Sequence, residues 1–347
     1  NPANPIIAVV AGLDHSMALA ADGIVYAWGD NGAGALGDGT TFAKVVPVRV
    51  LKGAYTGTTF LGDNPTNPII SISAGYLGSM VLAANGRMFG FGLNGAGSLG
   101  DGSYIDRLIP VSVIKGNYSG TTFLGDNPAN PIVSFSMGSQ FVVAIAANGI
   151  VYSWGVDVDG QLGTGLAGNR PFPSQVFKGA YAGISFMGDN ALNPIVAVSA
   201  HGYHALFLAQ DGSLYSVGRN NGGQLGDGTT TMRTIPVRVV KGTYTGAAFL
   251  GDNPANRIRS ILAGPVHSIA LMQDGTIFSF GMNAFGQLGD GTTVDKPVPF
   301  RVLKGAYNGT TNLGDNPANP VVSILGVAKN ATGAFTEGST IAITADG

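Results

Sequence analysis

Two histidine–serine pairs come nearest to a catalytic arrangement in this sequence. His15 precedes Ser16 and His267 precedes Ser268, which could place a general base beside a nucleophile. Adjacent residues at a strand edge point to opposite faces, so these side chains cannot form the hydrogen bond that such catalysis needs. The chain also has no Gly-x-Ser-x-Gly segment and no Gly-Lys dipeptide, which are signatures of hydrolases and of phosphate-binding loops. We therefore predict no catalytic residues and no enzyme.

Metal ligands are the second chemistry that the residue types allow. His201 and His204 lie close in sequence, but no third ligand accompanies them. An aspartate followed by Asn recurs at a fixed spacing, at Asp63, Asp126, Asp189, Asp252 and Asp315. Carboxylates could hold Ca²⁺, but the alternate acids of an EF-hand loop are absent, and Asp in such a setting commonly bonds its own backbone in a turn. Turn formation is the favoured interpretation and calcium binding the alternative, so we expect no metal.

Glycine-rich segments at 32–37 and 95–100 match the G-x-G-x-x-G pattern of dinucleotide-binding proteins. That site needs a helix directly after the glycines, because the helix N-terminus holds the pyrophosphate. Here each segment is followed by Asp-Gly or Asp-Gly-like turn residues and then by a strand-like run. We interpret both segments as turns and expect no cofactor.

Composition narrows the choice of partner. The 347 residues include 18 Lys and Arg against 20 Asp and Glu, which gives a formal charge of −2, and only 11% of the chain is charged. Without a basic stripe, nucleic acid is not an expected partner. The absence of Cys excludes disulfides and thiolate chemistry. No apolar run approaches the ~20 residues of a membrane-spanning helix, so we expect no transmembrane segment.

A repeat of 63 residues organises all of these segments. Asparagines open Asn-Pro-x-Asn-Pro-like segments at that spacing, at Asn1, Asn64, Asn127, Asn190, Asn253 and Asn316. Prolines keep the same register without a gap, at Pro47, Pro110, Pro173, Pro236 and Pro299. A fixed period of this size is typical of solenoids, propellers and arrays.

Each repeat contains four strand-like runs separated by turn residues. In the first repeat the runs are 6–10, 16–20, 24–28 and 47–50, and Asp22-Gly23 has the chemistry of a two-residue hairpin turn. No segment shows helical periodicity over ten residues. A lone four-stranded sheet exposes both edges, which favours sheets packed around an axis. This predicts an all-β propeller of four-stranded antiparallel blades, about six of them in this chain, with a stacked β-solenoid as the rival.

The first repeat also carries a recognisable family motif. Residues 10–39 read Val-Ala-Gly-Leu-Asp-His-Ser-Met-Ala-Leu-Ala-Ala-Asp-Gly-Ile-Val-Tyr-Ala-Trp-Gly-Asp-Asn-Gly-Ala-Gly-Ala-Leu-Gly-Asp-Gly, and parts recur from Val151 and Gly223. This motif resembles the repeat of the RCC1 (regulator of chromosome condensation) family, to about residue 326. The resemblance implies an RCC1-like β-propeller, seven-bladed when complete. The chain departs from the family by an extra segment, 52–65, in every full copy, and it lacks the charged tails of the nuclear member, as secreted bacterial members do.

The two ends of the sequence carry less of the repeat. Asn1 lies within a repeat, so we expect a fragment or a processed form that belongs to a larger chain or assembly. We assign residues 1–326 to the propeller and 327–347 to a degenerate sixth repeat or the start of a following domain. In that interpretation Glu337-Gly338 takes the place of the Asp-Gly turn.

Comparison of the internal copies separates two groups of loops. Antiparallel strands alternate direction, so loops 12–15 and 30–46 lie at one end of a blade, and the Asp-Gly turn and segment 52–65 lie at the other. The second group is nearly identical in every copy and predicts a structural collar, with one Tyr per copy filling the gap between blades. The first group varies and predicts a partner-binding rim. Its candidate contacts are His15, Phe42, Tyr76, Tyr104, Phe141, Arg170, Tyr203, His204, Met232, Arg233 and His267.

These observations favour a non-catalytic binding or structural propeller with a protein partner. Low charge, richness in Asn, Thr and Gly, and the absence of Cys favour an extracellular or cell-surface location, with the cytoplasm as the alternative. The alternative function is a guanine-nucleotide exchange factor for a small GTPase, as the resemblance implies. An enzyme that releases a cyclic product, as some secreted propellers do, is a third possibility.

Overall fold

The protein is all-β, and its strands form repeated antiparallel sheets. The computed structural model describes residues 2–328 and 338–346. Within these ranges the strands build five four-stranded sheets and one two-stranded sheet, and each four-stranded sheet keeps sequence order. The described residues contain no helix that could cross a bilayer. The predicted fold class of four-stranded antiparallel blades is confirmed, and the solenoid alternative is wrong.

The strand bounds repeat from sheet to sheet. Sheet 1 consists of β1 (Ile6–Ala11), β2 (His15–Ala20), β3 (Val25–Gly29) and β4 (Lys44–Arg49). Sheet 2 consists of β5 (Ile69–Ala74), β6 (Gly78–Ala83), β7 (Met88–Gly92) and β8 (Arg107–Ser112). Sheet 3 consists of β9 (Ile132–Met137), β10 (Phe141–Ala146), β11 (Val151–Gly155) and β12 (Arg170–Gln175). Sheet 4 consists of β13 (Ile195–His201), β14 (His204–Ala209), β15 (Leu214–Gly218) and β16 (Arg233–Arg238). Sheet 5 consists of β17 (Ile258–Ala263), β18 (His267–Met272), β19 (Ile277–Gly281) and β20 (Lys296–Arg301), and sheet 6 of β21 (Val321–Ala328) and β22 (Gly338–Thr344).

The chain divides into two compact units. Unit 1 comprises Asn1–Val158 and Gly168–Val176, and unit 2 comprises Asp159–Ala167 and Phe177–Gly347. In both units the core lies between neighbouring sheets: in unit 1, for example, Met17 and Leu36 join the same buried cluster as Phe89 and Phe91 of sheet 2. The stability of a sheet therefore depends on the repeat beside it.

The Asp-Gly turn behaves as its chemistry predicts. Gly23 has φ +89°, and its N–H donates to Ala20 O at 2.9 Å. The Asp22 carboxylate accepts from Ile24 N, and Asp22 N donates to Asn4 Oδ1. The fourth strand differs from the prediction, because it begins at Lys44 and ends before Val50. Val50 directly follows the strand: its N–H still donates to Val25 O of β3, and its side chain is buried in the core.

The fourth strands of sheets 2 to 5 are each covered by two loops of the repeat before. Gly39 N donates to Leu108 O at 2.9 Å, and Ala54 N donates to Pro110 O at 2.8 Å. The same two bonds recur as Gly102 to Pro171, Asn117 to Pro173, Gly165 to Thr234, Ala180 to Pro236, Gly228 to Pro297 and Thr243 to Pro299. The second contact requires glycine at position 53, because a Cβ there would lie 2.1 Å from Pro110 O. An edge that could pair with another chain is thus closed within the protein.

The collar, residues 52–65 and its copies, is held by one aspartate in each repeat. The Asp126 carboxylate accepts from the backbone N–H groups of Thr121, Thr122 and Phe123 at 2.8–2.9 Å. Burial raises the pKa of Asp126, but these hydrogen bonds outweigh that effect and lower the pKa to about 2. Because the carboxylate oxygens face N–H donors, the arrangement supports the turn interpretation over calcium binding. The collar tyrosine fills the gap between sheets as predicted: Tyr55 packs edge-on against Phe89, 5.6 Å between ring centroids.

The sixth repeat keeps its turn but at a shifted position. Asp346 N donates to Asn319 Oδ1 at 3.1 Å over a separation of 27 residues, where Asp22 and Asn4 make the same bond over 18. This repeat therefore has nine extra residues between its asparagine and its turn aspartate, and its first two strands are longer than those of sheet 1. The assignment of Glu337-Gly338 to the Asp-Gly turn is wrong, because Gly338 begins β22, while Glu337 lies outside the described residues. The division of the chain at residue 326 stays a prediction.

We expect Asp126→Ala to lower the free energy of unfolding by about 2 kcal/mol, because three backbone N–H groups lose a charged acceptor. Asp126→Asn keeps one acceptor oxygen and should lose less. Urea unfolding at pH 7 measures both variants. Wild-type stability in both would contradict the role given to this carboxylate.

Candidate functional site

The loops at one end of each sheet meet as the sequence predicts. In sheet 1, Gly12 N donates to His15 O at 2.9 Å and Asp30 N donates to Asp14 O at 2.8 Å, so the loop after β1 lies beside the loop after β3. We call these two loops and their copies the variable rim. In unit 1 the short loops are linked by backbone bonds, from Leu13 N to Tyr76 O and from Tyr76 N to Ser139 O.

A buried asparagine holds each long loop of the variable rim. Asn31 Nδ2 donates to Thr40 O at 2.9 Å and to Phe42 O at 3.3 Å. Asn31 Oδ1 accepts from Leu36 N, which fixes the orientation of the amide. The loop therefore closes around a fully buried side chain while the Phe42 ring, 74% exposed, points outward.

The same hydrogen bonds from a buried asparagine to its long loop recur in three more repeats. These asparagines are Asn94, Asn220 and Asn283, and they donate to the carbonyls of Ile105, Thr231 and Val294. The third repeat has Asp157 at this position, and its N–H donates to Asn169 Oδ1. Sequence reasoning missed these residues, although their 63-residue spacing marks them as part of the constant framework.

Ion pairs brace the same loops against the fourth strands. In unit 1, Arg107 contacts Asp101 at 2.6 Å, and in unit 2, Arg233 contacts Asp227 at 2.6 Å. Burial raises the pKa of Asp227, but hydrogen bonds from Thr229 and Arg233 outweigh it and hold the pKa below its usual range. The Arg233 guanidinium, predicted to contact a partner, thus serves to fix its own loop.

Large apolar side chains of the long loops remain at the surface. In unit 1 the exposed ones include Phe42, Tyr104 and Ile105. In unit 2 they include Leu166, Met232 and Val294. Exposed apolar groups presented by a fixed framework suit contact with another protein.

Four of the predicted contact residues lie in the core. His15, Phe141, His204 and His267 are buried, so their expected role as direct contacts is wrong for this conformation. The remaining candidates stay predictions: Phe42, Tyr104 and Met232 are exposed, and Tyr76, Arg170, Tyr203 and Arg233 are half-buried. Tyr203 lies under the Arg219 guanidinium, 4.3 Å from it, and Arg219 pairs with Asp159 at 2.7 Å.

The buried histidines join neighbouring sheets. Ser79 Oγ donates to Ala35 O at 2.9 Å, so the hydroxyl accepts from His15 Nε2–H, 2.9 Å away. Unit 2 repeats the relay, with His204 Nε2 bonded to Ser268 Oγ and Ser268 Oγ donating to Gln224 O. Burial lowers the pKa of His15 to about 4 and that of His204 to about 3. No cluster of three or more metal-ligating side chains occurs in residues 2–328 and 338–346.

Comparison with known proteins supports this description of the repeats. The chain matches the RCC1-like domain over residues 1–347. The E3 ubiquitin-protein ligase HERC2 of Homo sapiens is 28% identical over 285 residues, 82% of this chain and 5% of HERC2. The ultraviolet-B receptor UVR8 of Arabidopsis thaliana is 26% identical over 292 residues, 84% of this chain and 56% of the receptor. The chain thus spans little more than half of one relative and a small part of the other.

Solved structures show the same fold. Yeast RCC1 (Prp20), solved with Kap60 bound, gives a TM-score of 0.67 at 19% identity over 93% of this chain and 64% of Prp20. Human WBSCR16 gives a TM-score of 0.57 at 20% identity, over 92% of this chain and 84% of that protein. At these identities the likeness concerns the fold alone.

We expect Asn94→Ala to destabilise the protein by about 3 kcal/mol, because a buried N–H and two carbonyls lose their partner. Tyr104→Ala, in the same loop but exposed, should change stability by less than about 0.5 kcal/mol. Chemical denaturation compares the two variants. Equal effects would show that the asparagine does not anchor the loop.

Acid should weaken the contacts between sheets. The folded pKa of His15, about 4, lies below the ordinary value of 6.5, so the unfolded chain binds the proton more readily between these values. Stability should be full above pH 6.5 and fall as the pH drops toward 4, by on the order of 3 kcal/mol for this residue. Urea midpoints from pH 7.5 to 4.5 measure the loss.

The control for this pH dependence comes from the chain itself. Sheet 2 has Gly78 where sheet 1 has His15, and sheet 3 has Val142 where sheet 2 has Ser79. The double variant His15→Gly with Ser79→Val copies that combination and should lose less stability in acid. An unchanged pH dependence would contradict the assignment to His15.

Proposed function

Because the chain belongs to the RCC1-like domain family, we propose that it is a non-catalytic propeller that binds a protein partner through its variable rim. RCC1-like propellers support protein binding, and the Prp20 structure with Kap60 bound is one instance. In this chain the partner binds through the loops of the variable rim, and the chain has no catalytic activity of its own.

One observation carries the proposal: constant residues hold the long loops while the exposed apolar residues of those loops vary. Asn31 and Asn94 occupy equivalent buried positions, yet the carbonyls that they bind belong to Phe42 and Ile105. A framework that is fixed in every copy and carries different side chains is the usual layout of a recognition surface.

The collar offers less to a partner, because its polar groups already serve the fold. The Asp63 carboxylate accepts from three backbone N–H groups, at Thr58, Thr59 and Phe60. The Ala54 N–H is used by the edge of sheet 2. The collar is therefore framework, and the likeness of its copies fits a role in folding.

The chemistry of the partner follows from composition. A formal charge of −2 with 11% charged residues argues against a nucleic-acid partner, so we propose a protein partner. We further propose an extracellular or cell-surface location, motivated by low charge, richness in Asn, Thr and Gly, and the absence of Cys. Detection of the native protein in a culture-medium or surface-shaved fraction tests that location.

Partner binding can be tested with matched variants of exposed apolar residues. We expect Phe42→Ala with Tyr104→Ala in unit 1, or Met232→Ala in unit 2, to weaken partner capture by roughly tenfold or more, because hot-spot aromatic and apolar side chains dominate interfaces. Ile184→Ala, at an exposed collar position where the next copy already has Ala247, is the control and should leave capture unchanged. Quantitative pull-down with immobilised protein measures the effect.

The same experiment separates the exchange-factor alternative. Prp20p from Saccharomyces cerevisiae was described with its binding properties to Gsp1p and histones, so the captures should include a panel of purified small GTPases. Accelerated nucleotide release from a GTPase would replace the non-catalytic proposal. Capture that is lost with Ile184→Ala and kept in the rim variants would move the site to the collar.

A further inference from the structure

One face of sheet 1 is uncovered where the matched faces of the other sheets are buried. Ile6 is 51% exposed, whereas its equivalent Ile69 is 2% exposed. Val9 is 62% exposed, whereas Ile72 is 7% exposed. The equivalents of Ile6 in the later sheets are buried too, at Ile132, Ile195, Ile258 and Val321. The sequences of these strands are alike, so the difference lies in what packs on them.

The edge of sheet 1 is open in the same way. Leu108 O and Pro110 O of β8 accept from Gly39 N and Ala54 N. The equivalent carbonyls of β4, at Val45 and Pro47, accept no hydrogen bond from residues 2–328 or 338–346. The Val45 side chain is almost fully exposed. An edge and an apolar face that are closed in every later four-stranded sheet are both free here.

The other copies show what closes such a face. In sheets 2, 3 and 5 the cover is the repeat before, which supplies two backbone N–H donors to the fourth strand and an apolar side to the core. The covering repeat also places one side chain, at the position of His15, against the second strand of the sheet that it covers. His15 meets a serine on sheet 2, and His204 meets a serine on sheet 5. Gly78, which has no side chain, precedes a sheet with Val142 in the place of serine.

Sheet 1 has a serine at the position that pairs with a histidine of the covering repeat in sheets 2 and 5. Ser16 is the equivalent of Ser79 and Ser268, and its hydroxyl has no hydrogen-bond partner among the described residues. In its equivalents the hydroxyl donates to a loop carbonyl of the covering repeat and accepts from that repeat's histidine. A cover with glycine at the histidine position would leave Ser16 without that donor in a dry interface, which costs stability.

We infer that the face formed by β1, β2 and β4 is a docking surface for an RCC1-type blade with histidine at the position of His15. The blade binds with its two backbone N–H donors on the carbonyls of Val45 and Pro47. Its histidine donates to Ser16 Oγ, and Ile6 and Val9 become buried. The serine selects a histidine-type blade over a glycine-type blade.

The chain itself supplies matched probes for this surface. Residues 190–252 form a complete repeat with His204, and residues 64–126 form one with Gly78; each is followed in the chain by the equivalent of Asn1. Either repeat can be fused ahead of the full chain without a change of register. Both repeats provide the two backbone N–H donors. The group that faces Ser16 differs, because it is a histidine in one fusion and a glycine in the other. Hydrogen exchange of peptides from β1, β2 and β4 reports cover, and exchange in sheets 2 to 5 reports intact folding.

We expect both fusions to slow exchange in sheet 1, and the histidine fusion to slow it by roughly tenfold more, since opening must also break the His–Ser bond. Ser16→Val should speed exchange in the histidine fusion and slow it in the glycine fusion, in line with Val142. Unchanged exchange in both fusions, or the same effect of Ser16→Val in both, would overturn the proposal. Dimerisation of the unfused chain that Val45→Lys abolishes would overturn it in favour of a second copy as occupant.

Discussion

The structure depends on one constraint: a four-stranded sheet of this sequence has an apolar face and an open edge that only another repeat can close. The N–H groups of Gly39 and Ala54 close the edge of sheet 2, and Leu36 joins the core that covers its face. Strands, collar and long loops all follow from this need. Position 53 must be glycine for the same reason, since its backbone passes within reach of Pro110 O. Stability and shape are thus properties of the repeat array, as in other repeat proteins.

Much of this fold could be predicted because the repeat makes local signals reinforce one another. Asp22-Gly23 predicts a hairpin turn from its own chemistry. The same turn recurs in the next four repeats, so the assignment of strands in one repeat applies to the others. The fourth strand was predicted less well, because pairing begins at Lys44, before the apolar run, and Val50 is apolar for the core. The register of the last repeat was mispredicted because nine inserted residues displace Asp346 without changing its role.

The candidate site was harder to predict, because variation between copies does not separate exposed from buried residues. Phe42 and Phe141 both lie in variable positions, but Phe42 is exposed and Phe141 is buried. His15 varies because it is matched to Ser79 across an interface, which a single repeat cannot reveal. A search for variable positions passes over the constant Asn31, although Asn31 holds the variable loop in place. A framework residue and the side chain that it presents have opposite patterns, so both must be considered together.

Native-state hydrogen exchange tests the dependence of each sheet on its cover most directly. The strands of sheet 1 and sheet 2 pair in nearly the same register: His15 lies opposite Gly29 in sheet 1, and Gly78 lies opposite Gly92 in sheet 2. The two sheets differ because one face of sheet 1 is uncovered. If cover from a neighbouring repeat sets stability, the amides of β2 and β3 exchange at least tenfold faster than those of β6 and β7. Equal protection in the two sheets would show that each sheet is stable by itself and would contradict this account.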